Sequence, residues 1–155
     1  MTVFESICEY LQRHQIPFRT VHHQPTMTSE ESAKARGEDV KIGGKAIVMK
    51  IDDGFKVFVL SAALKVDSKK VRKLCNATSV RFASKEELAS LTGLVPGSVP
   101  PFGKPFFDLD LYIDTSVLQN ERIAFNAGSL TDSIIMKTTD YLSVAHGQVI
   151  NFSQQ

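Results

Sequence analysis

Lys45 follows Gly43 and Gly44 and opens an apolar run, Ala46-Ile47-Val48-Met49. A cation fixed at the start of a strand, beside two residues that let another molecule approach the main chain, can hold a phosphate or a carboxylate. The same lysine also suits a plainer role, its stem lying on apolar surface and its ammonium in water. A second stretch, Thr92 to Gly103, sets Gly93, Gly97 and Gly103 among Pro96, Pro100 and Pro101. Each proline fixes φ and removes a backbone donor, so the loop is stiff and its other main-chain groups are open to a ligand. Leu94, Val95, Val99 and Phe102 suit a pocket wall laid on a core, although Gly and Pro also build ordinary turns. A third stretch, Phe125-Asn126-Ala127-Gly128-Ser129, carries a strand into small and polar residues and serves either a pocket or a simple turn.

Other chemistries are poorly served. His22 and His23 are adjacent, so along a strand they point to opposite faces. His14 and His146 have no partner at ligand spacing, and Cys8 and Cys75 form no C-x-x-C pair. No metal site and no cofactor is expected. Gly43-Gly44-Lys45 is not a P-loop, because Asp39 stands at its first glycine and Ala46 at the hydroxyl residue that would hold Mg²⁺. There is no G-x-S-x-G elbow. Cys75 lies on the apolar face of its helix, a poor setting for a thiolate nucleophile.

Length and composition fit one soluble domain over residues 1–155: 43% apolar, 23% charged, formal net charge +1. Two cysteines among apolar neighbours read as reduced thiols, and no run is long enough to span a bilayer. A cytoplasmic location follows as the default, with no membrane partner. Lys65, Lys69, Lys70, Arg72 and Lys73 concentrate positive charge on one helix and its approach. They form either a solvated face or a set of nucleic-acid phosphate contacts.

The elements that must position these groups follow from local signals. Val3, Phe4, Ile7, Cys8 and Leu11 mark one face of a helix over 3–14, and residues 18–22 alternate as a strand. Thr28 and Glu31 have capping-box spacing, predicting a helix over 29–36 closed by Gly37. Two β-rich runs, 45–51 and 55–60, flank Asp52-Asp53-Gly54 as a hairpin. Asp67 caps a helix over 67–75, residues 79–82 form a strand, and Ser84 with Glu87 opens a helix that ends before Gly93. Strands are predicted over 108–113, 122–126, 133–138 and 149–152, with a helix over 140–146. Strands and helices alternate without a regular βαβ rhythm, which gives an α+β domain with a mixed sheet.

The order of these motifs resembles the YbaK / prolyl-tRNA synthetase editing-domain family of aminoacyl-tRNA deacylases. The resemblance rests on Gly44-Lys45-Ala46, on Gly93-Leu94-Val95-Pro96-Gly97 matching a G-x-x-P-G motif, on Ser98 to Gly103, and on Asn126-Ala127-Gly128. It implies a partly barrel-like mixed sheet with surrounding helices, and hydrolysis of an amino acid wrongly attached to tRNA. It makes Lys45 and Gly97 the catalytic candidates, with Gly93, Pro96, Ser98, Asn126, Ala127 and Gly128 around the substrate. Asn126 departs from the serine of one branch of the family and from the histidine that alanine-specific members carry nearby. No preference for cysteine or alanine is therefore carried over.

The implied protein is a freestanding trans-editing enzyme, with tRNA-Pro as the expected carrier. A non-catalytic module that senses an amino acid or aminoacyl-tRNA is the alternative. An aminoacyl ester is already reactive, so holding it, a water and the ribose hydroxyl in attack geometry can supply much of the rate. The expected partners are aminoacyl-tRNA, contacted through Lys69, Lys70, Arg72 and Lys73, and a prolyl-tRNA synthetase. DNA is not an expected partner, and the chain is expected to be a monomer or weak dimer.

Overall fold

A computed structural model describes residues 1–154. Reciprocal bonds between Thr2 and Glu5 open α1 (Val3–Arg13), which buries Ile7 and Leu11. After β1 (Phe18–His22), the Thr28–Glu31 box opens α2 (Ser29–Arg36), and Gly37 closes it at φ 72°. A 3₁₀ turn over Val40–Ile42 leads into the hairpin of β2 (Gly44–Ile51) and β3 (Gly54–Ser61). The left-handed residue of that hairpin is Asp52, φ 54°, rather than a glycine. Its carboxylate accepts from Thr78 N and Ser79 N at 3.0 and 2.9 Å, which ties the turn to the connection before the next strand.

Asp67 caps α3 (Ser68–Leu74), and β4 (Val80–Phe82) follows. The Ser84–Glu87 box opens α4 (Lys85–Thr92), which Gly93 ends at φ 73°. The long Gly/Pro loop then leads to β5 (Asp110–Ile113), a 3₁₀ turn over Thr115–Gln119, β6 (Arg122–Asn126), β7 (Asp132–Lys137), α5 (Thr138–Ala145) and β8 (Gln148–Val149).

Three boundaries differ from the expectation by two residues or more. The strand expected over 149–152 shrinks to Gln148–Val149, because Phe152 and Ser153 donate their N–H groups to the buried Asp114 carboxylate at 2.7 and 3.0 Å instead of to a ladder. The last helix starts at Thr138, straight out of β7, with Thr138 N bonded to Glu121 O. β5 starts at Asp110 because Leu109 N turns back to Phe107 O.

One sheet has the order β4-β2-β3-β5-β8, antiparallel across β4, β2 and β3 and parallel from β3 to β5 and β8. The other, β1-β7-β6, is antiparallel. A parallel bridge between Gly43 and Ala124 joins them, which gives the partly closed, barrel-like arrangement. The junction is tight: a Cβ on Gly44 would stand 2.5 Å from Ile123 Cδ1, so any larger residue would force the Ile123 side chain to shift. Val57 and Val59 pack into the main core with Ile123, Phe125 and Ile134, while Phe58 and Leu60 on the opposite face pack with Val71 and Phe152. Burial on both faces explains why β3 reads as an unbroken apolar run.

Candidate active site

A cavity of about 220 Å³ opens where the start of β2, α2 and the residues before it, the Gly/Pro loop and the end of β6 converge. Lys45 enters it from β2, Gly97 and Val99 from the loop, Asn126 from β6, and Thr26, Ser32 and Arg36 from the α2 side. The Lys45 side chain is half-buried. Desolvation lowers its pKa, the nearby Lys65 charge pushes the same way, and Glu30 opposes. Its ammonium has no hydrogen bond or ion pair among the described residues.

Arg36 is buried, and no carboxylate among the described residues pairs with it. Its Nε donates to Ser133 Oγ at 2.9 Å and its Nη2 to Asn126 Oδ1 at 3.1 Å. Burial pulls its pKa down to about 10. Two cations thus border a cavity whose lining contains no acidic residue. Such a site favours an anion or a developing negative charge.

Asn126 is committed to the protein itself. Its Oδ1 accepts from Arg36 and from Ser133 Oγ at 3.1 Å, and its Nδ2 donates to Gly97 O at 2.8 Å. A guanidinium can only donate, so it fixes which end of the amide faces the loop. His23 Nε2 lies 2.8 Å from Ser133 Oγ, behind this network. Gly97 has φ 89°, a conformation that favours glycine, and its N–H has no partner among the described residues. Two more bonds hold the loop: Gly128 N to Ser98 O at 2.9 Å, and the buried Tyr141 hydroxyl to Pro101 O at 2.6 Å. At the far side, Thr26 Oγ1 and Ser32 Oγ stand 2.8 Å apart.

Of the residues singled out in the sequence, Lys45, Gly97 and Asn126 meet on this cavity. The other five candidates stand off its lining. Gly93 caps α4. Pro96 lines a neighbouring cavity. Ser98 is buried with its hydroxyl bonded to Val95 O, Ala127 lies in the core, and Gly128 packs against Val3. Lys69, Arg72 and Lys73 are exposed on α3, whereas Lys70 is held by Asn151 Oδ1 and Ser153 O at 2.9 and 2.8 Å. Sequence reasoning missed Arg36, Thr26, Ser32 and Ser133. The one available signal was Arg36 on the last turn of a helix with few apolar residues, and it gives no hint of burial.

No nucleophile with an adjacent base lines the cavity. The arrangement offers two cations, unpaired main-chain groups and hydroxyls on a rigid frame, which suits positioning of a reactive substrate. Among the described residues no helix is long and apolar enough to cross a membrane.

A family model described as an aminoacyl-tRNA editing domain matches residues 23–144. The chain is 34% identical over 142 residues to the multifunctional Ser/Thr-tRNA deacylase ProXp-y of Escherichia coli, spanning 87% of this chain and 83% of that protein. It is 34% identical over 100 residues to a proline–tRNA ligase of Shouchella clausii, covering 64% of this chain and 17% of the ligase. A solved structure described as a candidate trans-editing enzyme for prolyl-tRNA synthetase superposes with a TM-score of 0.85, over 100% of this chain and 99% of that one. At 23% identity this likeness shows a shared fold.

Proposed function

The chain belongs to the aminoacyl-tRNA editing domain family, and we propose that it acts in trans to hydrolyse the ester of a small, hydroxyl-bearing amino acid, serine or threonine, wrongly joined to tRNA. The observation that carries the reading is the free Lys45 ammonium in one cavity with the pinned Gly97 main chain. Water adds to the ester carbonyl carbon and negative charge collects on the carbonyl oxygen. The bond to the ribose oxygen then breaks, that oxygen takes a proton, and the amino acid and tRNA leave separately. Lys45 holds the terminal phosphate or the developing charge. The Gly97 N–H orients the ester, the neighbouring ribose hydroxyl or the water, and Arg36, through Asn126, keeps Gly97 in place.

The choice of amino acid follows from the polar side of the cavity. Thr26, Ser32 and Asn126 line it, and the two hydroxyls can bond a substrate hydroxyl. A site that pairs a substrate hydroxyl discriminates far better against the analogue that lacks it than an apolar site does. The relative in Escherichia coli is named for the same two amino acids. The likeness to proline–tRNA ligases supports tRNA-Pro as carrier and a prolyl-tRNA synthetase as partner. Lys69, Arg72 and Lys73 are the exposed cations available to the acceptor stem.

The test is a panel of tRNAs, tRNA-Pro included, charged with Ser, Thr, Ala, Cys or Pro, with ester loss followed over the uncatalysed rate. Seryl and threonyl esters should be lost fastest. Lys45→Ala should lower kcat/KM by about 10²–10³-fold while Tm stays within about 2 °C. Unimpaired hydrolysis by that variant overturns the role of Lys45. Binding of the panel without ester loss overturns the enzyme in favour of a sensing module.

A further inference from the structure

Beside the substrate cavity lies a second one of about 170 Å³, bounded by Phe82, Ala83, Leu88 and Pro96. The two share a wall made of Ala46, Ile47, Gly97 and Val99. Phe82 is 57% exposed, the one phenylalanine or tyrosine among the described residues more than a third open to solvent. An aromatic ring held at the mouth of an apolar slot needs an account, because every other ring of these two types is at least half covered.

The shared wall has a further property. β4 pairs with β2 only at Met49, Lys50 and Ile51, and Ala83 N then donates to Val48 O at 2.9 Å before the chain turns into α4. In an antiparallel ladder alternate residues direct their main-chain groups to the same side. Ala46, two residues before Val48, therefore presents its N–H and C=O on the edge that β4 has left. That places one donor and one acceptor side by side on the boundary between the two cavities, next to Gly97.

We propose that the second cavity is the site for the unstacked terminal adenine of the tRNA, with the base stacked on Phe82 and its donor–acceptor edge read by the main chain of Ala46. The inference rests on the deacylase reading, whose substrate has two parts joined through one ribose. An amino acid in the first cavity and a base in the second put that ribose at the shared wall, beside Lys45 and Gly97. Adenine offers an amino donor beside a ring-nitrogen acceptor, the complement of a strand-edge C=O and N–H. Stacking on an aromatic ring supplies affinity that does not disturb the chemistry at the ester.

Two measurements test this. In the first, the parent and Phe82→Ala hydrolyse charged tRNA ending either in adenosine or in an abasic ribose. Phe82→Ala should raise KM for the ordinary substrate about tenfold with kcat little changed, and have no further effect on the abasic one. An equal effect on both substrates overturns the assignment. In the second, Phe82→Trp gives the chain, which has no tryptophan of its own, a single fluorophore at the slot. Adenosine bearing a seryl group through a stable 3′-amide should quench it saturably, and the abasic counterpart should not. Absence of quenching overturns the base site. Quenching by a protein that hydrolyses no charged tRNA leaves the base site standing and removes the deacylase reading instead.

Discussion

The β6 wall of the cavity and the β2 wall use their polar groups in opposite ways. On β6, both ends of the Asn126 amide are bonded inside the protein, to Arg36 and Ser133 on one side and to Gly97 O on the other. On β2, the Lys45 ammonium and the main-chain edge at Ala46 have no partner among the described residues. A buried polar group left without a partner costs about 1–3 kcal/mol, so the β6 wall must be complete for the frame to hold. The β2 groups stay half-exposed, where water or substrate can complete them. One wall is bonded into the frame and the other keeps its polar groups free for a ligand, although the residues of both look alike as motifs in the sequence.

The sharpest way to break this contrast is at Asn126. Asn126→Ala leaves Arg36 and Gly97 O short of partners and should cost about 2 kcal/mol in urea unfolding, with a large fall in kcat/KM. Asn126→Asp gives Arg36 a carboxylate but takes the donor from Gly97 O. Its stability should stay within about 1 kcal/mol of the parent while kcat/KM still falls about tenfold. Full activity in the aspartate variant would mean that the β6 wall does not hold the loop.

A smaller effect belongs to β2. Desolvation lowers the pKa of Lys45, and its cation exists below that pKa and is lost as pH rises through it. After correction for uncatalysed hydrolysis, kcat/KM should therefore fall on the alkaline side at a lower pH than an ordinary lysine would give. Lys45→Arg should move that limb upward. An alkaline limb unmoved by the arginine variant would assign it to another group. The smallest effect is expected outside the cavity, at α3. Changing Lys69, Arg72 or Lys73 to Glu should raise KM for tRNA and flatten its log–log salt dependence by about one unit for each phosphate no longer bound. An unchanged slope would make α3 a solvated face.

Much of the frame is legible locally. Thr28 with Glu31 and Ser84 with Glu87 open helices at the positions their spacing predicts, and the β2–β3 hairpin follows its two apolar runs. Lys45, Gly97 and Asn126 are also identifiable as a set, and they share the cavity. Arg36 is not, because its partners Asn126 and Ser133 lie 90 and 97 residues further along the chain and nothing near Arg36 records them. The end of the last strand is hidden for the same reason. Residues 149–152 carry strand-forming side chains, but a carboxylate on Asp114 takes the N–H groups of Phe152 and Ser153. The left-handed residue of the hairpin is Asp52, where the sequence also offers Gly54, because the Asp52 carboxylate is anchored to Thr78 and Ser79. In each case a long-range polar contact decides what local preference leaves open.

The loop from Leu94 to Phe102 is fastened at Gly97, Ser98 and Pro101 to Asn126, Gly128 and Tyr141. A segment held at three points does not swing over its ligand as a lid does. An ester that reaches the cavity therefore meets a wall whose shape is set before it arrives, so selection rests on fit to a fixed frame.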